Sequence, residues 1–303
     1  MSEHVDELAA LAEELLAAGR DQELLAQLAD PDVEDLRADP QVAGAVMRVH
    51  GRYCVSSGLF DLLVVGAGRS VVLPVPGQES GRPSGAAGSR LVGLVRGGPQ
   101  DELVLPTEDG PRFLPRDHVV SEAVSGLDPL LGLTLVRSDY DPVVGTATTA
   151  TGDVLGYAAR LLADELVGVA EGALALALEH VRERHQFGVP IGSFQAVRHR
   201  LVDAYVDAEG ARSLLAAIGP DAAPDVQALV LKASAGAAAL RCVAAAQQVC
   251  GGMGFTAEFD LHRYVRRALA LDALLSGSEA AEEHLGALAL RGRVLPDRQV
   301  VLT

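Results

Sequence analysis

The sequence predicts an α+β protein, mainly α, with a small β domain held between two helical parts. Two observations carry this. Apolar residues recur at helical spacing near the N-terminus and again from about residue 151 onward. Between these parts, "LLVV", "SVVLPV", "LVGLV", "DELVLP", "HVV" and "LTLVRS" are short, β-branched runs separated by Gly- and Pro-rich turns, which is the texture of strands. The expected division is 1–65, a reduced helical region; 66–150, a small β domain; and 151–303, a helical bundle. No internal repeat is visible.

Each element follows from local pattern. Residues 3 to 30 predict one or two helices, with Leu8, Leu11, Leu15 and Leu16 on one face and Gly19 as a stop. Residues 41 to 65 form a second helical patch. "PGQESGRPSGAAGSR", 76 to 90, has the composition of a flexible loop. Leu162, Leu166, Val169, Ala173 and Leu176 then step along one face of a long helix. Another helix follows Ser193, a third covers about 224 to 249, and shorter ones cover 259 to 271 and 278 to 291. The 226 to 246 helix is apolar on several faces, so it is expected to be buried on most sides, and the C-terminal half is expected to be a helical bundle with a large interface to another subunit. "VVGAGRS", 64 to 70, lacks the third glycine and the following helix of a dinucleotide fingerprint.

The bulk numbers narrow the function. With 303 residues and 49% apolar composition the chain can bury a sizeable core. A formal net charge of −16 argues against a nucleic-acid partner, yet leaves room for a local basic pocket. Lys232 is the only lysine, and the Arg, Ala, Gly, Val and Leu content points to GC-rich coding. Cys54, Cys242 and Cys250 have no CxxC spacing and read as small buried hydrophobes. No apolar run is expected to approach a membrane span, and the acidic start does not read as a secretory signal, so a cytoplasmic location is expected. His180, His185 and His199 lack metal-ligand spacing.

The stretch from Arg182 to His199 carries the chemistry. A helix is expected to end at Gly188 with Pro190 blocking continuation, and Ser193 can cap the next helix. The turn would present Arg184, Gln186 and Phe187 together. Arginine matches a phosphate bidentately, and an aromatic with an amide suits a nucleotide. An ordinary helix–helix turn with a surface arginine satisfies the same pattern.

Two stretches together resemble the acyl-CoA dehydrogenase family: "RERHQFGVPIGSFQAVRHRLVD", 182 to 203, and "QQVCGGMGFTAEFDLHRYVRRA", 247 to 268, the latter similar to a Gln-x-x-Gly-Gly-x-Gly-Phe segment and the helix after it. The resemblance spans about 160 to 290, and 90 to 140 is similar to the latter part of the family's middle β domain. It implies an acyl-CoA dehydrogenase-like fold with a C-terminal four-helix bundle. It also implies FAD and α,β-dehydrogenation of an acyl-CoA thioester, in which a glutamate takes the α proton and the flavin takes the β hydride. The family's Arg-x-x-Phe-Gly turn reaches toward the ADP part of a neighbouring subunit's FAD. Carried over, cofactor contacts fall on Arg184, Gln186, Phe187, Gln195, Gln248, Gly251 and Gly252, the glycines letting backbone amides approach the pyrophosphate.

The departures matter as much. The usual glutamate, nine residues after Arg267, is here Ser276, in "LLSGSEA", so no catalytic residue is assigned. The family's alternative position on the first bundle helix falls on Ala158, flanked by Tyr157 and Ala159, with an arginine displaced to Arg160. Asp164 and Glu165, further along, read as interface or solvated-face charges or as a relocated base. The family's Thr-Glu-Pro-x-Ala-Gly-Ser-like flavin loop is absent, with "SGAAGSR" a remnant at most.

Three functions stay open on these residues. The first, which the resemblance to actinobacterial α2β2 enzymes acting on steroid side-chain CoA thioesters implies, is a non-catalytic subunit. Its partner chain would supply the glutamate and most of the acyl-CoA and FAD sites, with electron-transfer flavoprotein as acceptor. The second is a self-sufficient homo-oligomeric enzyme with Asp164 or Glu165 as base. The third is a flavin-free scaffold.

Overall fold

A computed structural model describes residues 2–30, 39–76, 91–107, 110–144, 153–218 and 224–291. Helix α1 (Ser2–Ala17) turns at Gly19, φ +69°, into α2 (Asp21–Leu28). Leu15, Leu16, Leu24 and Leu28 of this pair are buried. Helix α3 (Pro40–Tyr53) begins where the Asp39 carboxylate accepts from the Gln41 N–H at 2.8 Å and proline takes the first turn, where no donor is needed. It stops at Cys54, which is left-handed.

Helix α4 (Leu59–Val65) bears out the helical patch expected to reach residue 65 and corrects the competing reading of "LLVV" as strand-like. All seven of its residues are buried, so no polar face displays a period, and a short apolar run without one is ambiguous between helix and strand. The Asp61 carboxylate on α4 accepts from the Val71 N–H at 2.9 Å, tying this helix to the first strand.

The strands form two small sheets. β1 (Arg69–Val71), β3 (Glu102–Thr107), β4 (Gly110–Pro115) and β7 (Val143–Val144) lie in the order β1-β3-β4-β7, with β1 and β3 parallel and the other pairs antiparallel. β2 (Leu91–Val95), β6 (Thr134–Ser138) and β5 (Val120–Ala123) form an antiparallel sheet with β6 in the centre. A bridge from Leu73 to Leu94 joins the two segments, and Val72, Leu91, Leu103, Leu105, Leu114 and Val136 fill the space between. The loop expected at 76 to 90, and the "SGAAGSR" remnant in it, lie beyond Pro76 outside the described residues.

Helix α5 (Val154–Glu183) is the spine, 30 residues long, or about 45 Å at 1.5 Å per residue. Around it pack α3, α6 (Gln195–Ala217), α7 (Pro224–Cys250) and α8 (Leu261–Ala273), with α9 (Ser278–Leu290) against α7. The crossing with α3 is set by glycine. A Cβ at Gly168 would stand 1.9 Å from the Arg48 carbonyl oxygen, and one at Gly51 would stand 2.1 Å from that of Glu165, so the two backbones are in contact.

One expectation about α7 changes. The stretch Val226–Phe255 does reach the length and hydropathy of a membrane span, but 61% of that window is buried within the fold. Its many-sided apolar character is answered mostly by α5, α6, α8 and α9 of the same chain. Helix α6 carries exposed apolar residues at Val202, Tyr205 and Val206. Cys54, Cys242 and Cys250 are free and buried, and burial pushes their thiols up to about 12, 12 and 11.

Candidate functional site

Helix α5 ends at Glu183, earlier than the sequence suggested, with Arg184 as its cap. A minimal hairpin then replaces the expected helical turn: β8 (His185–Gln186) pairs with β9 (Val189–Pro190), with Gln186 opposite Val189. Phe187 and Gly188 at its tip have φ of +53° and +80°. Positive φ at both central residues is the type I′ turn that matches hairpin twist, and glycine takes the second position without cost. Phe187 does not: a left-handed phenylalanine stores strain, and such strain concentrates where position matters. The Ile191 N–H donates to the Arg184 carbonyl at 2.7 Å and locks the hairpin base. Ser193 does not cap α6. Its hydroxyl donates to the Pro190 carbonyl at 2.7 Å, and Phe194 takes the cap position without a side-chain bond.

The structure brings the two motifs to one end of the bundle. Helices α6 and α7 run antiparallel, registered by Cys242 Sγ donating to the Ala204 carbonyl at 3.1 Å and by the Arg241–Asp207 pair at 2.7 Å. The start of α6, with Gln195, therefore lies beside the end of α7, with Gln248, Gly251 and Gly252. The His180 and Phe259 rings, 5.7 Å apart, join the end of α5 to the segment after the Gly-rich turn.

At this end Arg184, Gln186, Phe187, Gln195, Gln248, Gly251 and Gly252 are all exposed, and Phe187 is 92% exposed. A Cβ on Gly251 or Gly252 would meet nothing within 4 Å, and Gly251 has φ +60°. A guanidinium, three amides, an outward aromatic and open glycine backbone are groups of the chemistry that contacts the nucleotide end of a dinucleotide.

The turn at Ser276 contains no carboxylate. Leu275 and Ser276 are left-handed in succession, φ +55° and +78°, and Ser276 is exposed. Lys232 on α7, fully buried, donates from beneath to the Asp272 and Ser276 carbonyls at 2.8 and 3.3 Å. Burial brings its ammonium down to about 8, against the pull of the nearby Asp272 carboxylate. Asp272 is itself engaged, accepting from the Ser278 N–H at 3.1 Å and hydroxyl at 3.3 Å.

Asp164 and Glu165 are neither solvated nor poised as bases. Glu165 is fully buried, and Arg96 grips its two oxygens at 2.7 and 3.0 Å. His50 Nδ1 lies at 3.1 Å and Arg267 at 3.5 Å. Burial by itself would raise this carboxyl; the Arg96 guanidinium and the His50 contact overturn that and hold it below the usual carboxylate range. His50 is lowered, first by burial and then by the two arginines, against the opposing Glu165 contact. Its Nε2 meets Ser57 Oγ at 3.0 Å. Arg267 continues the network to Asp128 and to the Val55 carbonyl at 2.8 Å. Asp164 is also buried, paired with Arg48 and packed on Gly44; burial raises its carboxyl, opposed by Arg48. Arg160 closes the end of α6, donating to the Ile218 and Leu215 carbonyls at 2.7 and 2.9 Å.

The sequence reading missed His50, Arg96, Asp128 and Lys232. One signal was there: Asp164-Glu165 sits between Leu162 and Leu166 in the apolar stripe of α5, where a charge must be paired to be tolerated.

Helical N-terminal part, small double sheet and long-helix bundle together make the acyl-CoA dehydrogenase fold. Comparison with a solved steroid ACAD, Tcur3481-Tcur3483, gives a TM-score of 0.80 at 23% identity, over 96% of this chain and 99% of that one. The ChsE4-ChsE5 complex from Mycobacterium tuberculosis gives 0.73 at 20%, over 96% and 98%. Residues 149–286 of the chain match the family model "Acyl-CoA dehydrogenase, C-terminal domain". The chain is similar to the acyl-CoA dehydrogenase FadE34 of Mycobacterium tuberculosis, 37% identical over 207 residues, which are 65% of this chain. Those residues span 29% of that relative's length.

Proposed function

We propose that this chain is the base-free subunit of a heteromeric, FAD-dependent acyl-CoA dehydrogenase. Its partner holds the catalytic glutamate and most of the acyl-CoA site. This chain lends Arg184, Gln186, Phe187, Gln195 and Gln248, with the backbone of Gly251 and Gly252, to the nucleotide end of FAD. FAD, when bound, supplies the hydride acceptor for the α,β-dehydrogenation; electron-transfer flavoprotein is the expected onward acceptor.

The observation that carries this reading is the contrast between the two turns. One keeps an outward, strained Phe187 beside an exposed arginine. The other keeps its fold around Ser276, where the family's base would stand, and offers no carboxylate. A serine hydroxyl takes no α proton without a base of its own. Asp164 and Glu165, the alternative bases, are buried and ion-paired. A carboxylate between guanidiniums is a poor base, and proton abstraction needs reach as well. A steroid side-chain CoA thioester is the favoured substrate class, a reading supported by the steroid ACAD that shares this fold over 96% of the chain with a TM-score of 0.80.

Co-expression with a full-length family member bearing the Glu-Gly-Thr turn tests this. The lone chain should be colourless, and the complex should be yellow and bleach anaerobically with its acyl-CoA. Tight FAD with turnover on the lone chain would sink the proposal. A complex that forms without flavin would favour the scaffold role.

A further inference from the structure

Helices α5 and α6 leave an open groove of about 680 Å³ between them. Leu174, Val181 and Leu201 form its buried floor, and Leu178, Val202 and Tyr205 its walls. Val202 and Tyr205 are 56% and 60% exposed. An apolar strip of this extent on a chain with net charge −16 marks an interaction surface. Leu174, Leu178 and Val181 stand at i, i+4 and i+7, the spacing that receives the ridge of another helix.

Two further features say what kind of chain covers it. Arg182 and Arg198 line the groove beside Pro190, Gly192 and Ser193. The Arg198 Nε is fastened to the Gly192 carbonyl at 2.9 Å, which fixes its cation there. An occupant with an apolar face and a carboxylate near one end complements this lining. The groove is also continuous with the hairpin: Pro190 belongs to β9, whose tip carries Phe187. A chain whose cofactor received Phe187 would stand next to this groove, which the hairpin base borders.

We infer that this groove seats an amphipathic helix of the partner subunit, the same chain that brings FAD to the hairpin, with an acidic residue meeting Arg182 and Arg198. The inference rests on the heteromeric reading above. A second copy of this chain is the poorer occupant, because two bodies each carrying a charge of −16 repel one another.

The test is a photo-crosslink. A tagged chain with Val202→p-benzoylphenylalanine is expressed with its partner, irradiated, and the joined peptide is read by mass spectrometry. The expected product is an apolar helical peptide of a separate acyl-CoA dehydrogenase chain that keeps the Glu-Gly-Thr turn. The double variant Val202→Glu, Tyr205→Glu should lower co-purified partner at least tenfold with the far-UV spectrum unchanged. The crosslink is read on a chain altered at one exposed position, so it decides even where the double variant fails to fold. A crosslink to a peptide of this same chain overturns the inference, as does no crosslink from an intact complex. Arg184→Ala separates the two claims: it should release FAD and keep the partner. Retained FAD with the crosslink in place would end the cofactor reading and leave the groove assignment standing.

Discussion

Lys232 reaches from the middle of α7 to the carbonyl oxygen of Ser276 at 3.3 Å, and to that of Asp272 at 2.8 Å. The chain's only lysine is thus spent, fully buried, on fastening the turn at Ser276. Lys232→Met leaves two carbonyls without their donor, at about 1–3 kcal/mol. The pH dependence has a defined sign. A lysine brought down to about 8 in the fold, against 10.5 unfolded, adds stability that is present above the unfolded value and lost as pH falls through about 8. Urea midpoints between pH 8 and 10.5 should therefore rise with pH more steeply in the native chain than in Lys232→Met.

Glu165→Gln should be far more damaging than any change at the hairpin. It leaves Arg96 and Arg267 buried against a neutral amide, a loss of roughly 3–5 kcal/mol. The Glu165 carboxyl is held below its ordinary value, so its contribution is present above the ordinary glutamate range and lost as pH falls through the folded pKa. A thermal melt at neutral pH reads the first effect. A flatter acid limb in the variant reads the second.

Ser276→Gly should stabilise by about 0.5–1 kcal/mol. Glycine occupies φ +78° without the left-handed penalty of about 1–2 kcal/mol, less its own chain-entropy cost. Dehydrogenation by the assembled complex should be unchanged. A large loss of turnover with normal stability would give Ser276 a direct catalytic part, against the proposal.

Phe187→Ala should separate stability from cofactor retention. The ring is 92% exposed in the lone chain, so removing it should move stability by less than about 0.5 kcal/mol. FAD should nevertheless wash out of the complex faster, as flavin absorbance after desalting would show.

Much of the architecture was legible in the pattern. The step of Leu162, Leu166, Val169 and Ala173 predicts the long α5, and each of these residues is buried. Gly19 marks the first turn at φ +69°. "LLVV" misleads because α4 is buried all round, and a helix without a polar face shows no period. The hairpin at Gln186–Val189 was hidden for another reason. Its type I′ geometry puts phenylalanine where asparagine or glycine is usual, so turn chemistry pointed to a helix end instead.

The sequence by itself determined the family resemblance, because two local motifs at fixed spacing carry it; the candidate clamp from Arg184 to Gly252 and the serine at 276 in place of a glutamate are what that resemblance implies. Only the tertiary structure decided the fate of Asp164 and Glu165. Their partners Arg48, Arg96 and His50 lie 69 to 116 residues away in sequence, and no local pattern shows which distant charge a folded chain will bring to a buried one. The same holds for the apolar groove between α5 and α6. Whether an apolar residue is buried depends on what the rest of the chain covers, and here it leaves Val202 and Tyr205 in the open.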